Sequence, residues 1–172
     1  MAGGGEIYSK GDWLVHPSYG IGRVTKLEKK HIEGKKIEFY RVEGEHAIYW
    51  LPVKGLRSSR VRRLASRRQF RKALKLLKRT PREMDPDHTK RRTRIKDVMT
   101  DGSLRSVIRA IRDLSARNTE NRLSDTERRS LEQFIDGLVE EWAIAEEIEE
   151  HAARTELKEM LDAQSVAKAE SN

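Results

Sequence analysis

Gly11-Asp-Trp-Leu-Val-His-Pro-Ser-Tyr-Gly-Ile-Gly-Arg-Val24 decides how this chain is read. It predicts a short strand over residues 13–16, a turn through Pro17 and Gly20, and a second strand from Gly22. Pro17 presets a turn-like φ, and Gly20 and Gly22 can take backbone angles that other residues avoid. Runs of strand composition then follow at short spacing, over residues 22–30, 36–42 and 47–53. Lys36-Ile-Glu-Phe-Tyr-Arg-Val42 mixes β-branched and aromatic residues with polar ones, as a half-buried strand does. Glu33-Gly34 and Glu43-Gly44 mark the turns between strands. Pro52 ends the fourth run or places it at a sheet edge. A fifth short strand is predicted within residues 55–61, and residues 1–9 read as a loose tail. Strands this short and this close together predict a small twisted barrel.

The pattern turns helical at Ser66. Phe70, Ala73, Leu74 and Leu77 recur at the spacing of a buried helical stripe, and Thr80-Pro81 ends that helix. Asp85 or Asp87 can cap a second helix with Ile95, Val98 and Met99 on its apolar face. Asp101-Gly102 closes it. Ser103 can cap a third, striped by Leu104, Val107, Ile108, Ile111 and Leu114. Ser124-Asp-Thr-Glu127 fits a capping box, in which serine and glutamate satisfy each other's backbone N–H groups. Leu131, Phe134, Ile135, Leu138, Val139 and Trp142 line the core face of that fourth helix. A short last helix holds Leu157, Met160 and Leu161, with fraying expected after Val166. The predicted class is α+β: a small N-terminal β-barrel over residues 1–60, then a compact all-α domain over residues 61–168.

Composition narrows the function. There is no cysteine among the 172 residues, which removes disulfides and thiolate metal sites and fits a reducing compartment. The apolar runs fall far short of the roughly 20 residues that cross a bilayer. The N-terminus lacks the basic and apolar regions of a secretory signal. A cytoplasmic protein without a membrane partner is expected. Net charge is +8, but unevenly spread: residues 57–117 carry 21 basic and 6 acidic side chains, whereas residues 118–172 carry 6 and 15. The basic block reads as the electrostatic footprint of a polyanion such as nucleic acid.

Enzyme chemistry finds no foothold. The five histidines, at 16, 31, 46, 88 and 151, lack ligand spacing, so no metal is expected. There is no phosphate-cradling Gly-rich loop followed by Lys-Ser/Thr, and no nucleophile elbow. Asp85-Pro-Asp87 is better explained by helix capping than by metal binding. Glu146, Glu147, Glu149 and Glu150 read as a solvated helix face. No cofactor is expected.

The basic block has its own order. Arg67, Arg68, Arg71, Lys72 and Lys75 crowd the polar side of the first helix. Lys90, Arg91, Arg92, Arg94 and Lys96 crowd the start of the second, and Arg105, Arg109 and Arg112 share one face of the third. Such clusters track phosphates and give affinity without base readout.

The run 11–24, with Lys30, Gly34, Phe39, Tyr40 and Leu51-Pro52, resembles the RNA polymerase interaction domain of the CarD family of bacterial transcription regulators. This Tudor-like domain also occurs in transcription-repair coupling factor, whose helicase motor has no counterpart here. The resemblance continues through Lys90-Arg91-Arg92, Asp101-Gly102, the segment 107–114, Leu123-Ser124 and Glu127-Arg128. It implies a Tudor-like barrel that docks on the β subunit of RNA polymerase, with Lys30, Ile48, Tyr49, Trp50, Leu51 and Pro52 as its contacts. It implies a helical domain that reaches promoter DNA through Arg67, Arg68, Arg71, His88, Lys90, Arg91, Arg92 and Arg94, and stabilises the open complex. Two departures stand out. Trp50 occupies a position where relatives often carry arginine. Where relatives carry a tryptophan wedge before the Arg-Arg pair, this chain has His88 or Thr89.

The expected protein is a monomeric, non-enzymatic regulator that bridges polymerase and promoter DNA by weak, largely backbone contacts. It reaches the nucleoid through polymerase. The rival is a polymerase-bound adaptor whose helical domain docks another protein.

Overall fold

The computed structural model describes residues 7–56, 60–120 and 122–170. The chain divides into two compact units, Met1–Leu64 and Ala65–Asn172. The sheet unit thus runs to Leu64, past the expected boundary at 60, because its last strand forms at Arg62–Arg63.

In the first unit, β1 (Trp13–His16), β2 (Gly20–Ile32), β3 (Lys35–Glu43), β4 (Ile48–Pro52) and β5 (Arg62–Arg63) form one antiparallel sheet in the order β4-β3-β2-β1-β5. The β2–β3 hairpin closes over Glu33 and Gly34, both at positive φ (49° and 73°), the two-residue turn whose twist matches the strands. Gly44 is required by close approach: a Cβ there would lie 2.3 Å from the Ile21 carbonyl oxygen. The pairing of β2 with β3 shifts between Val24 and Lys26, a bulge that bends the sheet. Leu14, Val24, Tyr40, Val42, Tyr49 and Leu51 fill the inner face with Tyr8 and Leu56. Tyr8 corrects the reading of residues 1–9 as a loose tail. Its ring packs edge-on to Tyr40 with centroids 5.7 Å apart, and its backbone N–H donates to the Tyr40 hydroxyl at 3.3 Å. Residues 1–6 lie outside the described residues. The fifth strand, expected within residues 55–61, forms instead at Arg62–Arg63, paired with Leu14 and Val15 of β1. Of that expected span, residues 57–59 lie outside the described residues.

The second unit comprises α1 (Arg67–Leu74), a 3-10 turn (Lys75–Lys78), α2 (His88–Asp101), α3 (Leu104–Thr119), α4 (Asp125–Glu146) and α5 (Glu150–Glu170). Ser66 and Ser124 start α1 and α4 with capping boxes, satisfying backbone N–H groups that the helix leaves open. Asp87 caps α2, and Gly102, in the left-handed region, ends it. Phe70, Leu77, Ile108, Ile111, Leu114, Leu138, Trp142 and Leu157 make the fully buried centre.

The acidic run is not one solvated face. Glu147 turns left-handed (φ 55°) and ends α4, while Glu146 is buried beside Arg71. Nor is the last helix short. It stays helical to Glu170, because the Gln164 amide donates to the carbonyls of Leu77 (2.6 Å) and Arg79 (2.8 Å), and Lys168 pairs with Glu120 at 2.8 Å. Lys168 and Arg122 hold the Glu120 carboxyl down to about 2. Among the described residues, no helix is long and apolar enough to cross a membrane.

Candidate functional site

Strand β4 ends the sheet, so one of its backbone edges is unpaired among the described residues. Its side chains alternate by strand geometry: Ile48, Trp50 and Pro52 are exposed, whereas Tyr49 and Leu51 point into the core. Trp50 stands opposite Arg41, which in turn stands opposite Lys26. The Trp50 indole N–H donates to Glu28 Oε2 at 2.8 Å, and Lys30 Nζ sits 3.8 Å from the centre of the Trp50 ring. Lys26 pairs with the other Glu28 oxygen at 2.7 Å. Lys26 first, then Trp50, hold the Glu28 carboxyl below the usual carboxylate range.

Of the six expected sheet contacts, the structure brings Lys30 onto the Trp50 ring and turns Ile48 and Pro52 outward beside it. Tyr49 and Leu51 are turned away, so their side chains cannot meet a partner on that face. Tyr49 instead stacks on Tyr19 (5.0 Å) and lies 5.3 Å from His16. Its hydroxyl is buried without a partner among the described residues, and burial pushes its pKa up to about 12. Glu28 was missed from the sequence. The signal was present in the two-residue period of β2, which puts Lys26, Glu28 and Lys30 on one face.

In the helical unit the expected DNA residues separate by environment. Arg67 and Arg68 are exposed in the first turn of α1. Arg71 is partly consumed: it pairs with the buried Glu146 and, at 2.6 Å, with Glu156, which together raise its pKa. His88, Lys90 and Arg92 are exposed in the first turns of α2. The cap there is Asp87, whose Oδ1 accepts from the N–H groups of Thr89 (2.7 Å) and Lys90 (3.4 Å). Asp85 accepts from the Asp87 N–H at 2.8 Å, so this acidic pair is turn and cap chemistry. No cluster able to hold a metal ion occurs among the described residues.

Arg91 is not a surface cation. It is 7% exposed, its Nε donates to Glu127 at 2.5 Å, and one terminal nitrogen donates to the carbonyls of Asp85 (3.0 Å) and Pro86 (2.7 Å). Burial pushes the Glu127 carboxyl up, but the bonds from Arg91 and Ser124 outweigh it, and the net shift is downward. Arg94, half-buried, bonds to Asp113. Arg112 corrects the reading of a cationic α3 face: it is buried, bonded to Asp113 at 2.7 Å and to the Leu76 carbonyl at 3.4 Å. Only Arg105 and Arg109 of that trio stay exposed. Asp113 also accepts from the Arg82 backbone N–H at 2.9 Å. The helical period announced these burials. Arg91 lies one turn before Ile95 on the apolar side of α2, and Arg112 one turn after Ile108. Lys78, the last residue of the 3-10 turn, and Arg79 just after it are exposed as well.

A family model described as CarD, C-terminal domain, matches residues 72–158, half of the chain. A second, described as CarD-like/TRCF RID domain, matches residues 8–65. The chain belongs to the CarD family. CarD proteins are non-enzymatic, RNA polymerase-interacting transcription regulators. In this CarD chain the RID match falls on the sheet unit, and the C-terminal-domain match falls on the helices as far as the middle of α5.

Proposed function

We propose that this CarD-family chain docks on the β subunit of RNA polymerase through the edge and outer face of β4. We further propose that its helical unit contacts promoter DNA and stabilises the open complex. The observation that carries the reading is Trp50: an exposed ring on an edge strand, already fixed by Glu28 and Lys30. An edge strand offers main-chain pairing, and a fixed ring offers an anchor with little ordering left to do. On the helical unit, Arg67, Arg68, Lys90 and Arg92 supply charge to phosphates, with His88 beside them at the start of α2. Their contacts are sequence-blind and weak, with non-specific affinity of about 10⁻⁴ to 10⁻⁶ M at physiological salt. His88 is a smaller and more polar ring than tryptophan, so unstacking of a base step by a wedge is not part of this mechanism. The chain acts as a monomer without cofactor and reaches the nucleoid by riding on polymerase.

The test is a salt titration of the full chain on duplex DNA. Lys90→Ala with Arg92→Ala lowers affinity and flattens the slope of log K against log salt by about 2, near 0.9 per phosphate contact. An unchanged slope removes α2 from the DNA, and the reading becomes that of an adaptor whose helical unit docks another protein.

A further inference from the structure

Five cations cluster at the start of α2, yet the structure gives them unlike tasks. Lys90, Arg92 and Lys96 are exposed, whereas Arg91 is buried on the opposite side. Three bonds fix the Arg91 guanidinium. One goes to Glu127, itself 2% exposed and locked by the α4 capping box through the Ser124 N–H at 2.8 Å. The other two go to consecutive backbone carbonyls, Asp85 and Pro86, immediately before the α2 cap. The planar fork of arginine meets a carboxylate and the backbone at once, which the point charge of lysine cannot reproduce. One side chain thus ties the start of α4, the segment 85–87 and the first turn of α2 together. His88, Lys90 and Arg92 emerge from that turn.

We propose that Arg91, held by Glu127, is a positioning residue that sets the exposed cations at the start of α2 for phosphate contact, and does not itself touch DNA. The inference rests on the DNA reading above. Buried and triply bonded, Arg91 would have to break every one of its bonds to reach a phosphate. Removing the clamp frees the segment 85–87, and DNA binding must then re-order the first turn of α2. Fixing one residue's backbone again costs about a fivefold loss of affinity.

The experiment uses the full chain and a mixed-sequence DNA duplex, titrated by fluorescence anisotropy across a sodium chloride series, well below the melting temperature. The first variant joins Arg91→Met to Glu127→Met, which leaves net charge unchanged and no buried charge unpaired. It is expected to lose about fivefold in affinity with the wild-type salt slope, because no phosphate contact has gone. A slope smaller by about 0.9 means that Arg91 was a contact and overturns the proposal. Wild-type affinity in a folded variant also overturns it, since a role in stability alone would leave binding intact. The second variant, Arg91→Lys, keeps the charge and guards against failure of the first to fold. It is expected to lose affinity and to speed amide exchange over residues 85–92; affinity within twofold of wild type overturns the proposal. Lys90→Ala with Arg92→Ala is run beside them. If that pair changes nothing, the DNA reading has failed, and not merely the role of Arg91.

Discussion

Replacing Trp50 with alanine tests the docking surface most directly, and the structure sets its size. The residue is 40% exposed. An aromatic side chain of its size offers up to roughly 250 Å², so about 100 Å² remains to be covered by a partner. At about 25 cal/mol per Å² this is worth about 2.5 kcal/mol; alanine retains a little of it, which leaves about 2 kcal/mol, or about thirtyfold in Kd. The free protein should scarcely notice. The ring gives up one exposed hydrogen bond to Glu28 and one exposed cation–π contact with Lys30, together about 1 kcal/mol. Glu28→Ala adds a graded arm. It keeps the ring but frees it to rotate, at a binding cost of about 1 kcal/mol for re-ordering one side chain. The assay is equilibrium binding of the full chain to core RNA polymerase, with circular dichroism and thermal melting to show that each variant is folded. If folded Trp50→Ala binds within twofold of wild type, the outer face of β4 is not the docking surface. The proposed anchor then falls with it.

Other outcomes follow from buried polar groups. Asp113→Ala leaves Arg112 buried without its carboxylate and should cost about 3–5 kcal/mol in urea unfolding; a loss under 1 kcal/mol would show that this hub carries no stability. Tyr49→Phe removes a hydroxyl that has no partner among the described residues, so stability should stay level or rise by up to about 1 kcal/mol. A clear loss of stability would mean that the hydroxyl is bonded in solution. Burial lowers the His16 pKa below 6.5, and its Nδ1 accepts from the N–H groups of Ser18 (3.0 Å) and Tyr19 (3.1 Å), so the neutral ring is the folded form. Its contribution is present above about pH 6.5 and is lost as pH falls through the lower folded value. His16→Gln should remove that part of the pH profile in thermal melts.

Legibility followed the strength of the local code. The strands around residues 11–24 and the serine caps at Ser103 and Ser124 could be read because turn and cap chemistry act over four residues or fewer. The fifth strand was misplaced because Arg62-Arg63 has no strand propensity of its own, and its pairing with β1 is a long-range contact. The extent of α5 was underestimated because its end is held by Gln164 and Lys168 reaching Leu77, Arg79 and Glu120, which no local pattern announces. At the site, composition marked the cations but could not sort them. Arg91 and Lys90 are neighbours in sequence, and a helix turns them about 100° apart. One is buried against Glu127, and the other stays exposed with its ammonium 3.5 Å from Asp85.

That sorting answers how a strongly basic block can coexist with an acidic C-terminal part. Among the buried acids, Asp113, Glu127 and Glu146 meet arginines, whereas Glu141 accepts from the Ala65 backbone N–H at 3.4 Å. Glu127 takes Arg91, Glu146 and Glu156 take Arg71, and Asp113 takes Arg94 and Arg112. These pairs lie inside or at the margin of the helical core. Arg67, Arg68, Lys72, Lys75, Arg92, Lys96, Arg105 and Arg109 are left exposed, with no ion pair among the described residues. Acids of the C-terminal part (Glu127, Glu146, Glu156) and one acid of the basic block itself (Asp113) thus pair the arginines at the core, while the exposed cations just named are left to solvent. Internal pairs do not release counterions when DNA binds, so they add nothing to its salt dependence. The slope measured on DNA should accordingly count only exposed cations, and only those on the face presented to the duplex. It must fall well short of what the charge of residues 57–117 would suggest if every arginine there were free.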